Sequence, residues 1–333
     1  MSQSKGHWKE IPVTDIKGLR VGNAQDEEAL TGVTVFLFDE PATGGVDVSG
    51  GGPASRETTL LSPLTNQVPI NALVFSGGSA FGLDASGGVM RYLEEHKIGL
   101  EVLDAVIPLV CQSCIFDLGI GKGTARPDGE MGYQACVDAE GNHPRSGIVG
   151  AGTGATVGKA NGVPQGEKSG IGYFALQAGA LTVGAAVVLN AFGDIHDPET
   201  GEKIAGMRNR ERTAHVSCEE AMVLRETAPA PGANTTLGVI FTNGDFDQAA
   251  MNKIASMARA AYGRCIRPSG TMIDGDTIYA FSLGAERVPA DISVTGTLAA
   301  EALSRAICDA IASSSVSEER YLDMLDSDRS GMR

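Results

Sequence analysis

Residues 234–242 read NTTLGVIFT, and the rest of the chain is understood from this stretch. Two threonines lead into an apolar, β-branched run, so 235–242 reads as a strand. The approach to it, 227–234, is TAPAPGAN. Prolines and a glycine just before a strand make a loop-to-strand junction, exposed enough to be cut and ordered enough to be positioned. A threonine at a new chain N-terminus would hold nucleophile and base together. Its hydroxyl attacks, and its own α-amine, with an unperturbed pKa of ~7.7–8.0, takes the proton. An internal Thr235 cannot do this, because its nitrogen is an amide. The chain would first have to break, with Thr235 Oγ attacking the Asn234 carbonyl to form an ester that water hydrolyses. The plainer reading of Asn234-Thr235-Thr236 is a strand start with a cap-like asparagine, and on the residues alone that reading is the commoner one.

Working outward, strands are expected at 31–38, 71–75, 181–192 and 277–283, and helices at 83–95, 247–262 and 298–311. Strand and helix mix throughout, which places the chain in the α/β or α+β class. The segment 198–233 is charged and poor in strand formers. No repeat, low-complexity tract or long linker divides the chain, so residues 1–333 are expected to form a single globular domain. The 44 glycines lie within apolar stretches, which points to tight turns and close backbone approaches.

Composition removes several classes. With 41 acidic and 26 basic residues the net charge is −15, so there is no basic face for nucleic acid. Apolar runs fall short of the ~18 residues that a membrane span needs. The opening residues MSQSKGHWKE carry no apolar signal core, so a cytoplasmic location is expected. Six scattered cysteines do not suggest a disulfide framework.

Four motifs fail on spacing or context. GTGATVGKA at 152–160 has Thr153 where a phosphate loop needs its first glycine and Ala160 where it needs Ser or Thr. GGSAFG at 77–82 has Phe81 where a nucleophile elbow needs glycine, and reads as a turn into a helix. Cys111 and Cys114 form a lone C-x-x-C and read as buried thiols rather than zinc ligands. His196, between Asp194 and Asp197, reads as part of a solvated turn rather than a metal site. What remains beside NTT is Asp274-Gly275-Asp276 before a strand. This is either an Asp-Gly turn or a carboxylate pair able to orient the Thr235 hydroxyl and tune its proton transfer.

The chain resembles the self-cleaving N-terminal-nucleophile amidohydrolases, the family of the L-aminopeptidase/D-esterases, the β-peptidyl aminopeptidases and the nylon-oligomer hydrolases. The matching stretches occur in the family's order over about residues 18–283. They are GLRVGNAQDEEALTGVTV, VSGGGPASRETTLL, SGGSAFGLDASGGVMRYLEE, GAGTGATVGK, VGAAVVLNAFGD, NTTLGVIFTN and IRPSGTMIDGDTIYAF. The resemblance implies a four-layer αββα sandwich, Ntn-hydrolase-like, cut between Asn234 and Thr235 into chains 1–234 and 235–333. Thr235 would be the nucleophile, and Asp274 and Asp276 the acidic pair of the Asn-Thr, nylon-hydrolase branch. Asn190 would be the donor that stabilises the oxyanion, a role that can contribute roughly 2.7–4 kcal/mol. Lys159 would balance charge beside the aspartates. Phe116 stands where the nylon hydrolases have a tyrosine, which removes a hydroxyl from substrate contact or from the cleavage network.

The resemblance further implies no cofactor, a small linear amide or short peptide as substrate, and a homo-oligomer, commonly a tetramer of αβ units. A rival reading keeps the fold without the chemistry, as an uncleaved ligand-binding relative.

Overall fold

The computed structural model describes residues 7–224 and 234–326. Ten strands form two sheets that share one long strand. They are β1 (Lys9–Glu10), β2 (Leu19–Asp26), β3 (Thr31–Val48), β4 (Ala54–Arg56), β5 (Ile70–Ser76), β6 (Val110–Cys114), β7 (Ile171–Ala178), β8 (Leu181–Asn190), β9 (Thr235–Thr242) and β10 (Thr277–Ser282). The first sheet runs β1-β7-β8-β9-β10 and ends on the second half of β3. The other carries the first half of β3 between β2 and β5, followed by β6 and β4. Pairing is antiparallel except for β9 with β10 and β5 with β6.

The expected strand at 31–38 is only the first half of β3. Its register shifts between Leu37 and Ala42, where Asp39, Glu40 and Pro41 are exposed. Two carboxylates and a proline without an N–H look like the end of a strand. Here they form a solvated corner at which one strand passes from sheet to sheet.

Helices α1 (Ala85–Glu95) and α2 (Gly129–Ala139) cover the β2–β5 sheet. Helices α3 (Gln248–Ala258), α4 (Ala260–Cys265) and α5 (Ile292–Ser314) cover the other. Side-chain oxygens of Asp128, Asp247 and Asp291 cap α2, α3 and α5. The expected helix at 247–262 is two helices broken at Arg259, and the one at 298–311 extends to 23 residues. Close seating of α5 on β7 requires Gly172, whose Cβ would overlap the Ala306 carbonyl.

Three apolar layers result, as an αββα sandwich demands. Between the sheets, Phe36 meets Phe75 and Phe241 at 5.4 Å, and Phe38 meets Phe281 at 4.8 Å. Each such fully buried ring contributes about 1.5–3 kcal/mol. Met251, Ile254, Leu303 and Ile307 pack on one outer face, and Val89, Leu93 and Cys136 on the other.

Three expectations need correction or placement. Asp194 does not sit in a solvated turn: it is buried on the strand Asp194–His196 and pairs with Lys203 Nζ at 2.7 Å. The charged segment, poor in strand formers, holds only the short strand Lys203–Ala205 and the helix Cys218–Val223 among its described residues of regular strand or helix. The proline-rich approach at 227–233 lies outside the described residues. Cys111 and Cys114 are both buried on β6 with free thiols. Among the described residues no helix is long and apolar enough to cross a membrane.

Candidate active site

The site forms where β8 ends and β9 and β10 begin. β9 lies inside its sheet, between antiparallel β8 and parallel β10. This register sets Asn190, the last residue of β8, opposite Thr235, the first of β9. It also sets Asn234 beside Asp274 through an isolated parallel bridge. Thr235, Asp274, Asp276, Asn190 and Lys159 are all buried and converge here from four separate parts of the chain.

The carbonyl oxygen of Asn234 has two donors. Thr235 Oγ1 donates to it at 2.6 Å, and the main-chain N–H of Gly275 donates at 2.7 Å. The hydroxyl of the expected nucleophile therefore rests directly on the carbonyl it would attack.

The carboxylates do not hold that hydroxyl. Asp276 accepts from the Thr236 N–H at 2.7 Å and the Gly270 N–H at 2.9 Å. Asp274 accepts from the Thr271 N–H at 2.9 Å and the Thr271 hydroxyl at 2.6 Å. Asp276 thus grips the residue after the nucleophile. Burial raises both carboxyl groups above the usual range, and the charge of Asp274 raises Asp276 further. Two buried carboxyls this close favour keeping a proton on the pair.

Lys159 donates to Asn190 Oδ1 at 2.7 Å and to the Asn190 carbonyl at 3.1 Å. Burial lowers its ammonium to about 7, against the opposing pull of Asp274, Asp117 and Asp276. Asn190 Oδ1 also accepts from the Thr156 N–H at 3.1 Å, and its Nδ2 donates to the Phe116 carbonyl at 3.0 Å. One amide hydrogen of Asn190 is therefore engaged by Phe116. It is the main chain of Phe116 that reaches the site in these contacts, and its ring is half-buried.

Sequence reasoning missed the strap at residues 49–52. Ser49 and Gly50 both donate main-chain N–H groups to the Asp276 carbonyl, at 3.0 and 3.1 Å. Gly51 donates to Thr271 at 3.1 Å, and Gly52 to the Asp274 carbonyl at 2.8 Å. The run of three glycines in VSGGGP was the available signal. A Cβ on Gly50 would lie 2.5 Å from the Asp274 carbonyl oxygen, and one on Gly275 would lie 2.6 Å from Thr235 Oγ1. Also unforeseen is Asp117, buried beside Phe116. It accepts from the Thr31 hydroxyl and the Gly78 N–H, both at 2.7 Å. Among the described residues no cluster of His, Cys, Asp and Glu could hold a metal ion.

Known proteins share this arrangement of elements. The chain is 38% identical over 305 residues to an uncharacterized aminopeptidase of Mycobacterium tuberculosis, covering 87% of this chain and 86% of that one. It is 28% identical over 315 residues to the 6-aminohexanoate-oligomer endohydrolase of Paenarthrobacter ureafaciens, covering 89% and 84%. The structure of the L-aminopeptidase D-Ala-esterase/amidase of Ochrobactrum anthropi superposes with a TM-score of 0.68 at 16% identity. The match covers 96% of this chain and 94% of that one, and the two share the Ntn-hydrolase-like sandwich. The sequence profile of one hydrolase family runs over residues 12–320, nearly the whole of the described fold, and by that match the chain belongs to peptidase family S58.

Proposed function

We propose that this protein is an amide hydrolase that activates itself by cutting its own chain between Asn234 and Thr235. One observation carries the reading: the buried Thr235 hydroxyl lies 2.6 Å from the carbonyl oxygen of the residue before it, beside two carboxyl groups of raised pKa. In the first reaction Thr235 Oγ1 bonds to the Asn234 carbonyl carbon and gives up its proton. The C–N bond then breaks and the nitrogen leaves as an amine. Water hydrolyses the resulting ester, giving the Asn234 carboxylate and a free Thr235.

In the second reaction the new α-amine is the base for the Thr235 hydroxyl, which attacks a substrate amide and forms an acyl-enzyme ester that water releases. Asp274 and Asp276 hold the Thr236 and Thr271 main chain and tune proton transfer. Lys159 balances their charge and, with Thr156, orients Asn190 as a donor to the substrate oxyanion. The substrate class is a small linear amide: an N-terminal peptide bond, a β- or ω-amino acid amide, or a nylon-type oligomer. Aminopeptidase and 6-aminohexanoate-oligomer hydrolase relatives support that range. The exposed Leu100, Val102, Leu103 and Ile107 of one surface hairpin support a homo-oligomer.

The test is intact mass under denaturing conditions. Wild-type protein should give fragments 1–234 and 235–333, and Thr235→Ala a single 333-residue chain without amidase activity. An uncut but active wild type, or an active Thr235→Ala, overturns the reading. An uncut and inactive wild type leaves the rival, a ligand-binding relative.

A further inference from the structure

The scissile carbonyl has donors other than the asparagine expected to serve oxyanions. Asn234 O accepts from Thr235 Oγ1 and from the Gly275 N–H. When the hydroxyl turns from donor to attacking nucleophile, its hydrogen bond to that oxygen is lost. Negative charge then grows on an atom that still faces the Gly275 N–H. The distance, 2.7 Å, falls in the range of effective oxyanion donors. Asn190 meanwhile has an amide hydrogen on the Phe116 carbonyl and its oxygen under Lys159 and Thr156.

The peptide unit that supplies this donor is built into a relay. Its carbonyl, that of Asp274, accepts the Gly52 N–H at 2.8 Å, and its N–H points at Asn234 O. A peptide group that accepts at one end donates more strongly at the other. The strap also fixes the direction of the bond, because Gly50 and Gly51 lie against the neighbouring main chain of Asp274, Asp276 and Met272 with no room for a Cβ. Position 275 itself must lack a side chain, since a Cβ there would press on the nucleophile's oxygen.

We propose that the main-chain N–H of Gly275 is the oxyanion donor of the self-cleavage step, polarised through the Asp274 carbonyl by the Gly52 N–H of the glycine strap. Self-cleavage and substrate hydrolysis then differ in the donor they rely on, Gly275 for the first and Asn190 for the second. The inference rests on the self-cleavage reading above. The step balances as written there: the O–C bond forms, the C–N bond breaks, and the hydroxyl proton ends on the leaving nitrogen.

The test replaces Gly275 by glycolic acid in an otherwise native precursor, turning the 274–275 amide into an ester. This deletes the N–H and adds no side chain. Cleavage at 234–235 should slow about 10²–10³-fold, the effect of removing one oxyanion donor. Cleavage within threefold of wild type overturns the proposal while leaving the self-cleavage reading intact. That reading fails separately, if wild type stays uncut yet active or if Thr235→Ala is active. A second measurement separates a lost donor from a disturbed fold. In the uncut Thr235→Ala background, with the Asn234 carbonyl labelled with carbon-13, the infrared band of that carbonyl should move to higher frequency when the ester is introduced. An unmoved band means the N–H is not engaged, and the proposal falls.

Discussion

Gly50→Ala is the sharpest perturbation of the strap. A Cβ at position 50 would lie 2.5 Å from the Asp274 carbonyl oxygen and 2.7 Å from its carbonyl carbon, and would overlap the Asp276 nitrogen as well. Carbon atoms sit comfortably at ~3.5–4.0 Å, so either the strap or the carboxylate turn must move by about 1 Å. These are main-chain atoms, with no flexible side-chain end to yield. Overpacking of this kind costs about 1–3 kcal/mol, which leaves a domain of ordinary stability folded. The loss of rate is the larger effect. Asp276 holds the Thr236 N–H at 2.7 Å, and Gly275 holds the Asn234 carbonyl at the same distance. A displacement of about 1 Å costs a reaction of this kind about 10²-fold. The assay is the appearance of fragment 235–333 in timed samples by intact mass, alongside a melting curve. Gly87→Ala in α1 is the control. Nothing lies within 4 Å of its Cβ, so it should mature normally and gain about 0.5–1 kcal/mol. A folded Gly50→Ala precursor that matures at the wild-type rate would refute the claim that the strap sets the carboxylate turn.

Asp276→Asn should slow maturation by about 10²-fold or more. An amide there turns one NH2 toward the N–H of Thr236 or Gly270, which also costs about 1–3 kcal/mol, measurable by urea unfolding. Lys159→Met, made in the uncut Thr235→Ala background, should change the pH dependence of stability. Burial lowers the folded lysine to about 7, and the unfolded chain keeps its proton to an ordinary 10.5. Above about pH 7 the unfolded state therefore binds more protons, and this group's contribution to stability rises with pH by up to about 1.4 kcal/mol per unit until about pH 10. The Met variant should lose that slope in urea midpoints taken across the window, and an unchanged slope would contradict the lowered pKa of the buried lysine. Phe116→Tyr should mature at the wild-type rate, because the contact to Asn190 is made by the main-chain carbonyl, and its effect should appear in KM for amide substrates. Slowed maturation in that variant would place the ring in the cleavage network instead.

Much of the architecture was readable along the chain because it depends on near neighbours. β9 falls on the expected residues without adjustment, since the β-branched and apolar run TTLGVIFT favours a strand locally, and all eight of its positions are buried. The helix at 83–95 begins two residues late because the tight turn at Gly78 first makes a 3-10 segment over Ser79–Asp84. β3 was only half seen. The exposed Asp39-Glu40-Pro41 reads locally as a terminator, and only a second sheet waiting beyond the corner makes it a passage.

The candidate site divides in the same way. The chain alone determined the chemical types: a threonine behind an asparagine, two aspartates about a glycine, and a lysine after a glycine-rich run, in an order that resembles one family. Those are covalent facts, and they point to an acyl-transfer nucleophile with an acidic pair. Tertiary structure decided which group faces which. The parallel bridge of Asn234 with Asp274 brings together residues forty apart, and it aims the Gly275 N–H, rather than a carboxylate, at the Asn234 carbonyl. The Ser49–Gly52 strap reaches the same turn from across more than two hundred residues, using backbone groups that every residue type but proline carries. A main-chain donor is marked in the residue code only by the glycines that permit its close approach, and its direction is set by strand register, which exists only once the sheets have formed.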